Sequence, residues 1–132
     1  MTDRVTGEQR IAGAFEQAKA GGRAALVAYL TVGHPSLAAT GELVWALERA
    51  GADLVELGVP FSDPIADGPI IQRAAYRALG QGVTPGVCLE VARQLREGGL
   101  AVPLLFMGYY NPIYARGLGA YARACRQAGV DG

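Results

Sequence analysis

The stretch Asp53-Leu54-Val55-Glu56-Leu57-Gly58-Val59-Pro60, continued by Phe61-Ser62-Asp63-Pro64-Ile65-Ala66-Asp67-Gly68-Pro69, decides how this chain is read. Its first half is rich in leucine and valine and lies between Gly51 and Pro60, the marks of a strand. Side chains alternate along a strand, so Val55, Leu57 and Val59 share one face and Leu54, Glu56 and Gly58 the other. Neither face is polar throughout, which is the pattern of a strand covered on both sides in a parallel sheet. Glu56 is then a carboxylate in an apolar setting, where burial without a partner favours the protonated form and suits proton transfer near neutral pH. A second reading stays open, in which Glu56 is paired to a basic side chain and is structural. The second half cannot be regular structure, because Pro60, Pro64 and Pro69 with Gly68 enforce a stiff loop. That loop carries Asp63 and Asp67 at the carboxyl end of the strand, where parallel α/β folds hold their ligands.

The rest of the chain repeats this theme. Arg10 to Lys19 has Ile11, Ala14, Phe15 and Ala18 on one helical face, and Gly21-Gly22 ends it. Ala24 to Leu30 reads as a first strand, followed by the loop Thr31-Val32-Gly33-His34-Pro35. Ser36 caps a helix running to about Ala50, with Leu43, Val44, Leu47 and Ala50 inward. After the central stretch, Pro69 opens a helix reaching Leu79, and Thr84-Pro85 opens another with Val87, Val91 and Leu95 inward. Val102 to Met107 is a third apolar strand, Gly108 to Pro112 its loop, and Leu118 to Ala128 a last helix with Leu118, Ala122 and Cys125 inward. A helix followed by three strand-helix units predicts right-handed crossovers and a parallel sheet. The four residues Ala50-Gly51-Ala52-Asp53 that launch the central strand return as Ala128-Gly129-Val130-Asp131, announcing a fourth strand. The expectation is an amino-terminal part of a longer α/β protein, against the alternative of a self-sufficient three-stranded unit with two open edges.

Composition narrows the function classes. The 132 residues fit one domain, and 51% hydrophobic content is enough for a core. Twelve basic and twelve acidic residues cancel, so bulk charge draws the chain to neither nucleic acid nor an anionic membrane. Apolar runs are of strand length, too short to span a bilayer, and the polar start Met1-Thr2-Asp3-Arg4 is no signal peptide. Cys88 and Cys125 read as reduced, semi-buried residues of a cytoplasmic protein, and no Cys/His spacing suits a metal.

Each strand thus ends in a loop with its own chemistry. Tyr29 and Thr31 lie at the first, Glu56 and Asp67 at the second, and Met107, Tyr109 and Asn111 at the third. In a (β/α)8 barrel these ends line one mouth, where the active sites of that fold lie. Two acids, aromatic rings and an amide there suit a flat apolar substrate with one or two polar handles. Core packing remains an alternative for Tyr109-Tyr110, and a solvated turn for His34.

The run from Glu56 to Gln72 resembles the signature of the tryptophan synthase α chain family. Tyr29 to Pro35, Gly82-Val83-Thr84-Pro85 and Met107 to Pro112 support it. The resemblance implies a (β/α)8 TIM barrel with an extra amino-terminal helix, of which residues 1–132 would form the amino-terminal half with about three βα units. It implies a lyase of tryptophan biosynthesis that cleaves indole-3-glycerol phosphate to indole and glyceraldehyde 3-phosphate by a retro-aldol reaction. No cofactor would be needed in this chain. Pyridoxal phosphate belongs to the partner β chain, which takes the indole within an α2β2 heterotetramer. By position, Glu56 falls on the catalytic general acid–base and Asp67 on the catalytic aspartate that binds the indole N–H. Tyr29, Met107 and Tyr109 fall on substrate-contacting positions, and Asp63 and Pro64 on the surface meeting the β chain. The family's phosphate site lies in later loops, beyond Gly132, and His34 stands where the family often has Asp or Tyr. Without the phosphate site these 132 residues alone are expected to be inactive. Two rivals stay in view, another phosphosugar-binding barrel enzyme and a non-catalytic module that docks a protein through the stiff loop.

Overall fold

A computed structural model describes residues 5–132; the polar start Met1–Arg4, read above as no signal peptide, lies outside them. Helix α1 (Gly7–Ala20) is followed by β1 (Val27–Thr31), α2 (Leu37–Arg49), β2 (Leu54–Gly58), α3 (Pro69–Gly80), α4 (Pro85–Glu97), β3 (Leu104–Met107), α5 (Tyr110–Arg116) and α6 (Leu118–Ala128). The strands are parallel and ordered β1-β2-β3, each beside its predecessor. A doubly wound sheet reverses its strand order and covers both faces with helices. Here the order never reverses. Val44, Ala78, Cys88, Ala92, Leu95 and Ala128, from four different helices, join one core with Val55, Leu57 and Leu104. One face of the sheet therefore carries the helix layer and the other is left for the inside of the curl, as in the first units of a (β/α)8 barrel.

The central strand is the best covered. Leu54, Val55 and Leu57 are each at most 1% exposed, and only Glu56 between them is half-buried. β1 is shorter than its apolar run, because the Leu26 N–H donates to the Asp53 carboxylate (2.8 Å) instead of joining the ladder. β3 begins after Pro103, which has no N–H to give. Ser36 and Thr84 cap α2 and α4, accepting from Ala39 and Val87 N–H. Thr6 caps α1 in a capping box with Gln9, starting that helix three residues before the expected Arg10.

Four inward faces differ from the expected ones. In α4 the buried residues are Cys88, Leu89, Ala92 and Leu95, with Val87 and Val91 only half-covered. In α6 Leu118 and Ala122 are exposed, and Ala124, Cys125 and Ala128 face the core. In α1 and α2, Phe15 and Leu43 lie out in solvent. Small residues take the closest approach between layers, and the large ones sit at its margins. The stretch 108–112, expected to be loop throughout, turns into α5 at Tyr110; Pro112 falls in its first turn, where a missing N–H costs nothing.

The amino-terminal ends of the strands are tied by charge. Arg23 holds Asp53 through two hydrogen bonds of 2.6 and 2.8 Å. Arg96 donates to the carbonyls of Gly129, Leu100 and Val102 (2.8 Å each) and pairs with Asp131. Arg10 of α1 reaches Asp131 (3.5 Å) and the Ala101 carbonyl (2.7 Å), which sets α1 across this end of the sheet. Asp131 N–H donates to Leu104 O (2.8 Å) and Phe106 N–H to Gly132 O (2.9 Å), so residues 131–132 run along β3 on the side away from β2. This is where the announced fourth strand was expected.

Candidate active site

In a parallel ladder, paired residues point to the same face. The register pairs Tyr29 with Glu56 and Glu56 with Leu105, and pairs Thr31 with Gly58 and Gly58 with Met107. These two rows form the inner face of the sheet at its carboxyl end, opposite the helix layer that holds Val55, Leu57 and Leu104. Glu56 therefore faces the mouth. Among the described residues no cation lies within ion-pair distance of its carboxylate.

Gly58 makes room for Tyr29. A Cβ at position 58 would stand 2.1 Å from the Tyr29 hydroxyl and 2.7 Å from its Cζ. The phenol therefore lies flat over the strand, with its oxygen 3.3 Å from Thr31 Oγ1. Burial pushes the Tyr29 phenol up from its usual range, and the negative charges of Asp67 and Glu56 add to this. Both acids, one from the strand and one from the loop, thus bear on the same ring.

The loop from Val59 to Gly68 is irregular but held at several points. The Val59 N–H donates to Met107 O (2.8 Å) at its root, and the Asp67 N–H to Pro64 O (3.1 Å) within it. From α3, Gln72 Nε2 donates to Pro64 O (3.2 Å) and Asp67 O (2.9 Å). From the end of β3, the Tyr109 hydroxyl accepts from Ala66 N–H (2.9 Å) and donates to Asp67 Oδ2 (3.0 Å). Its ring leans on Phe61 at 5.2 Å between centroids. Burial, with the hydrogen bond to and the charge of Asp67, raises the Tyr109 phenol, which keeps its proton for this bond.

The structure thus gathers Tyr29, Glu56, Asp67, Met107 and Tyr109 at one mouth. Met107 is half-exposed there. Asp63 and Pro64 lie elsewhere. Asp63 is exposed and accepts from the Ser62 hydroxyl (2.8 Å). With Pro64, Ile65, Gln72 and Tyr76 it lines a cleft of about 550 Å³ between the loop and α3, to which neither Glu56 nor Asp67 contributes. Gln72, Phe61 and Gly58 were given no role from sequence. A glycine inside a strand signals a close approach, so Gly58 was there to be read; the parts of Gln72 and Phe61 depend on the folded loop and had no local signal.

The site therefore offers one carboxylate on a strand with no ion-pair partner among the described residues, a second fixed on a loop, and aromatic surface between them. This arrangement can exchange a proton at one point while holding negative charge at another.

Comparison with known proteins agrees with this geometry. The sequence profile of the tryptophan synthase alpha chain family matches residues 15–132. The tryptophan synthase alpha chain of Dehalococcoides mccartyi is 52% identical over 123 residues, which are 93% of this chain and 46% of that protein. That of Bordetella pertussis is 53% identical over 129 residues, 97% of this chain and 45% of that one. The crystal structure of tryptophan synthase subunit alpha from Legionella pneumophila superposes with a TM-score of 0.88 at 40% identity, over 92% of this chain and 46% of that one. Tryptophan synthase from Mycobacterium tuberculosis in an aminoacrylate-bound form gives 0.85 at 37%, over 92% and 49%. The chain spans about half the length of the curated relatives it matches. With the central motif, the sheet order and the paired acids all inside the matched region, the chain belongs to the tryptophan synthase alpha chain family.

Proposed function

We propose that a protein carrying these residues at the full length of its relatives is a lyase of tryptophan biosynthesis acting in the cytoplasm. It cleaves indole-3-glycerol phosphate to indole and glyceraldehyde 3-phosphate. What carries the reading is the pairing of an unpartnered Glu56 on the inner face with an Asp67 fixed across the same mouth.

In this reading Glu56 gives a proton to the indole ring carbon that bears the glycerol chain. The carbon–carbon bond then breaks, its electron pair returning to the ring, while the adjacent hydroxyl gives up its proton to Glu56 and becomes the aldehyde. One proton enters and one leaves, so a single carboxyl group at the reacting carbon serves both steps. Asp67 accepts a hydrogen bond from the indole N–H and stabilises the positive charge of the protonated ring. Tyr29, Met107 and Tyr109 form the walls against the indole. No step needs a cofactor in this chain. Asp63 and Pro64, beside the exposed Ile65, form the surface for a β chain within an α2β2 assembly; that partner would carry the pyridoxal phosphate.

The test uses the full-length protein and follows indole release. Glu56→Gln and Asp67→Asn should each lower cleavage by roughly a hundredfold or more, the usual range for a lost acid–base or charge-stabilising group. A normal rate in either variant removes that residue from the mechanism.

A further inference from the structure

We propose that Tyr109 is a positioning residue, a clasp at the end of the third strand that sets the direction of the Asp67 carboxylate. The inference rests on the reading of Asp67 given above and extends it to a group with no assigned part in the proton transfer.

An aspartate on an irregular loop turns about two side-chain bonds unless something holds it. The contacts that order this loop mostly hold its backbone. Gln72 takes the carbonyls of Pro64 and Asp67, and Pro64 O takes the Asp67 N–H. Among the described residues, the hydrogen bond to the Asp67 carboxylate comes from Tyr109. The same hydroxyl accepts the Ala66 N–H, so one oxygen fixes both the backbone before Asp67 and the side chain itself. The phenol is in turn fixed at both ends. Its ring rests on Phe61. Its backbone root is pinned where Val59 N–H meets Met107 O, and Gly108 lets Val59 approach so closely that a Cβ would be 3.3 Å from Val59 Cβ. The rigid end of one strand thereby orients an acid on the loop of another. Donation to Oδ2 leaves Oδ1 for a substrate N–H.

The discriminating variant is Tyr109→Phe. Phenylalanine keeps the ring against Phe61 and keeps the substrate wall; it removes only the hydroxyl. A residue that is merely wall, or merely packing, should not notice. A clasp should, and its loss should fall on kcat, because charge on Asp67 matters most as the ring becomes positive. In the full-length protein we expect kcat for indole-glycerol phosphate cleavage to fall about tenfold, the scale of one hydrogen bond to a charged group. We expect KM within about twofold, an unchanged urea unfolding midpoint, and amide exchange at Ala66 faster by about tenfold. Unchanged kcat in Tyr109→Phe overturns the proposal, as does a loss that appears only in KM or in the unfolding midpoint. Should the wild-type protein fail to cleave this substrate, the functional reading fails by itself. Ala66 exchange then decides the clasp alone, and an unaltered exchange rate in Tyr109→Phe overturns it.

Discussion

At the scale of single residues, the site is shaped as much by an absent side chain as by the charged ones. Tyr29 lies over Gly58 with no space for a Cβ beneath its ring. In Gly58→Ala the methyl group cannot displace the strand, which is held on both sides by β1 and β3, so the exposed ring has to leave. Because a partly exposed side chain yields more easily than backbone, the expected stability loss is small, about 1 kcal/mol. The expected effect on the mouth is larger, since Tyr29 then swings away from Glu56 and Asp67. Adding Tyr29→Ala to Gly58→Ala should restore the lost stability, which a double-mutant cycle by urea denaturation measures. Additive losses would show that the contact is not the cause. The face that Glu56 takes was legible in the sequence, because a period of two leaves one choice once Val55 and Leu57 go to the helices. The freedom of its carboxylate was not legible, since pairing depends on cations brought near only by folding. Nor was the use of the Tyr109 hydroxyl, whose partner is 42 residues away in the chain.

At the scale of elements, two fastenings hold the ends of the strands. Arg23 and the Leu26 N–H together hold the Asp53 carboxyl down to about 2, below the ordinary range near 4. A depressed folded value means that the stabilisation is complete above about pH 4 and is lost as the pH falls through about 2. Asp53→Asn should therefore lower the urea midpoint at pH 7 and flatten its decline between pH 4 and 2. A decline as steep as that of the wild type would assign the acid sensitivity to other groups. At the opposite end, Thr40 is wholly buried; its hydroxyl accepts the Gly33 N–H (2.9 Å) and donates to Ser36 O (3.0 Å). Thr40→Val keeps the shape and orphans that amide, which should cost about 1–3 kcal/mol by denaturation and loosen the turn after β1. Element types and most starts could be read from Ser36, Pro69 and Thr84, because caps are local chemistry. The capping box Thr6…Gln9 is equally local chemistry. The rotated inner stripes of α4 and α6 could not be read locally, since the close contacts of a sheet with its helices decide between Val91 and Ala92, or Ala122 and Ala124.

At the scale of the whole molecule, the sheet is finished on one side only. Helices cover Val55, Leu57 and Leu104, whereas Val27, Tyr29 and Met107 on the inner face are 41%, 37% and 54% exposed. A curled sheet closes such a face only when further strands complete the ring. Among the described residues β1 has no strand on its outer side, so its N–H and C=O groups are open to pairing as well. An apolar inner face and an open edge are together a template for self-association. A polypeptide of these 132 residues should therefore form concentration-dependent oligomers, seen by size-exclusion chromatography with light scattering across about 1–100 μM, the range in which exposed strand edges and apolar surface aggregate. Lysine at the inner face, as Val27→Lys with Met107→Lys, should shift the population toward monomer, because a charge cannot be buried cheaply between two such faces. Lysine at the exposed Ala46 on α2 should leave it unchanged. If the unaltered polypeptide stays monomeric across that range, the inner face is not sticky. If Ala46→Lys disperses the oligomers as well as the inner-face pair does, the association runs through the helix layer instead.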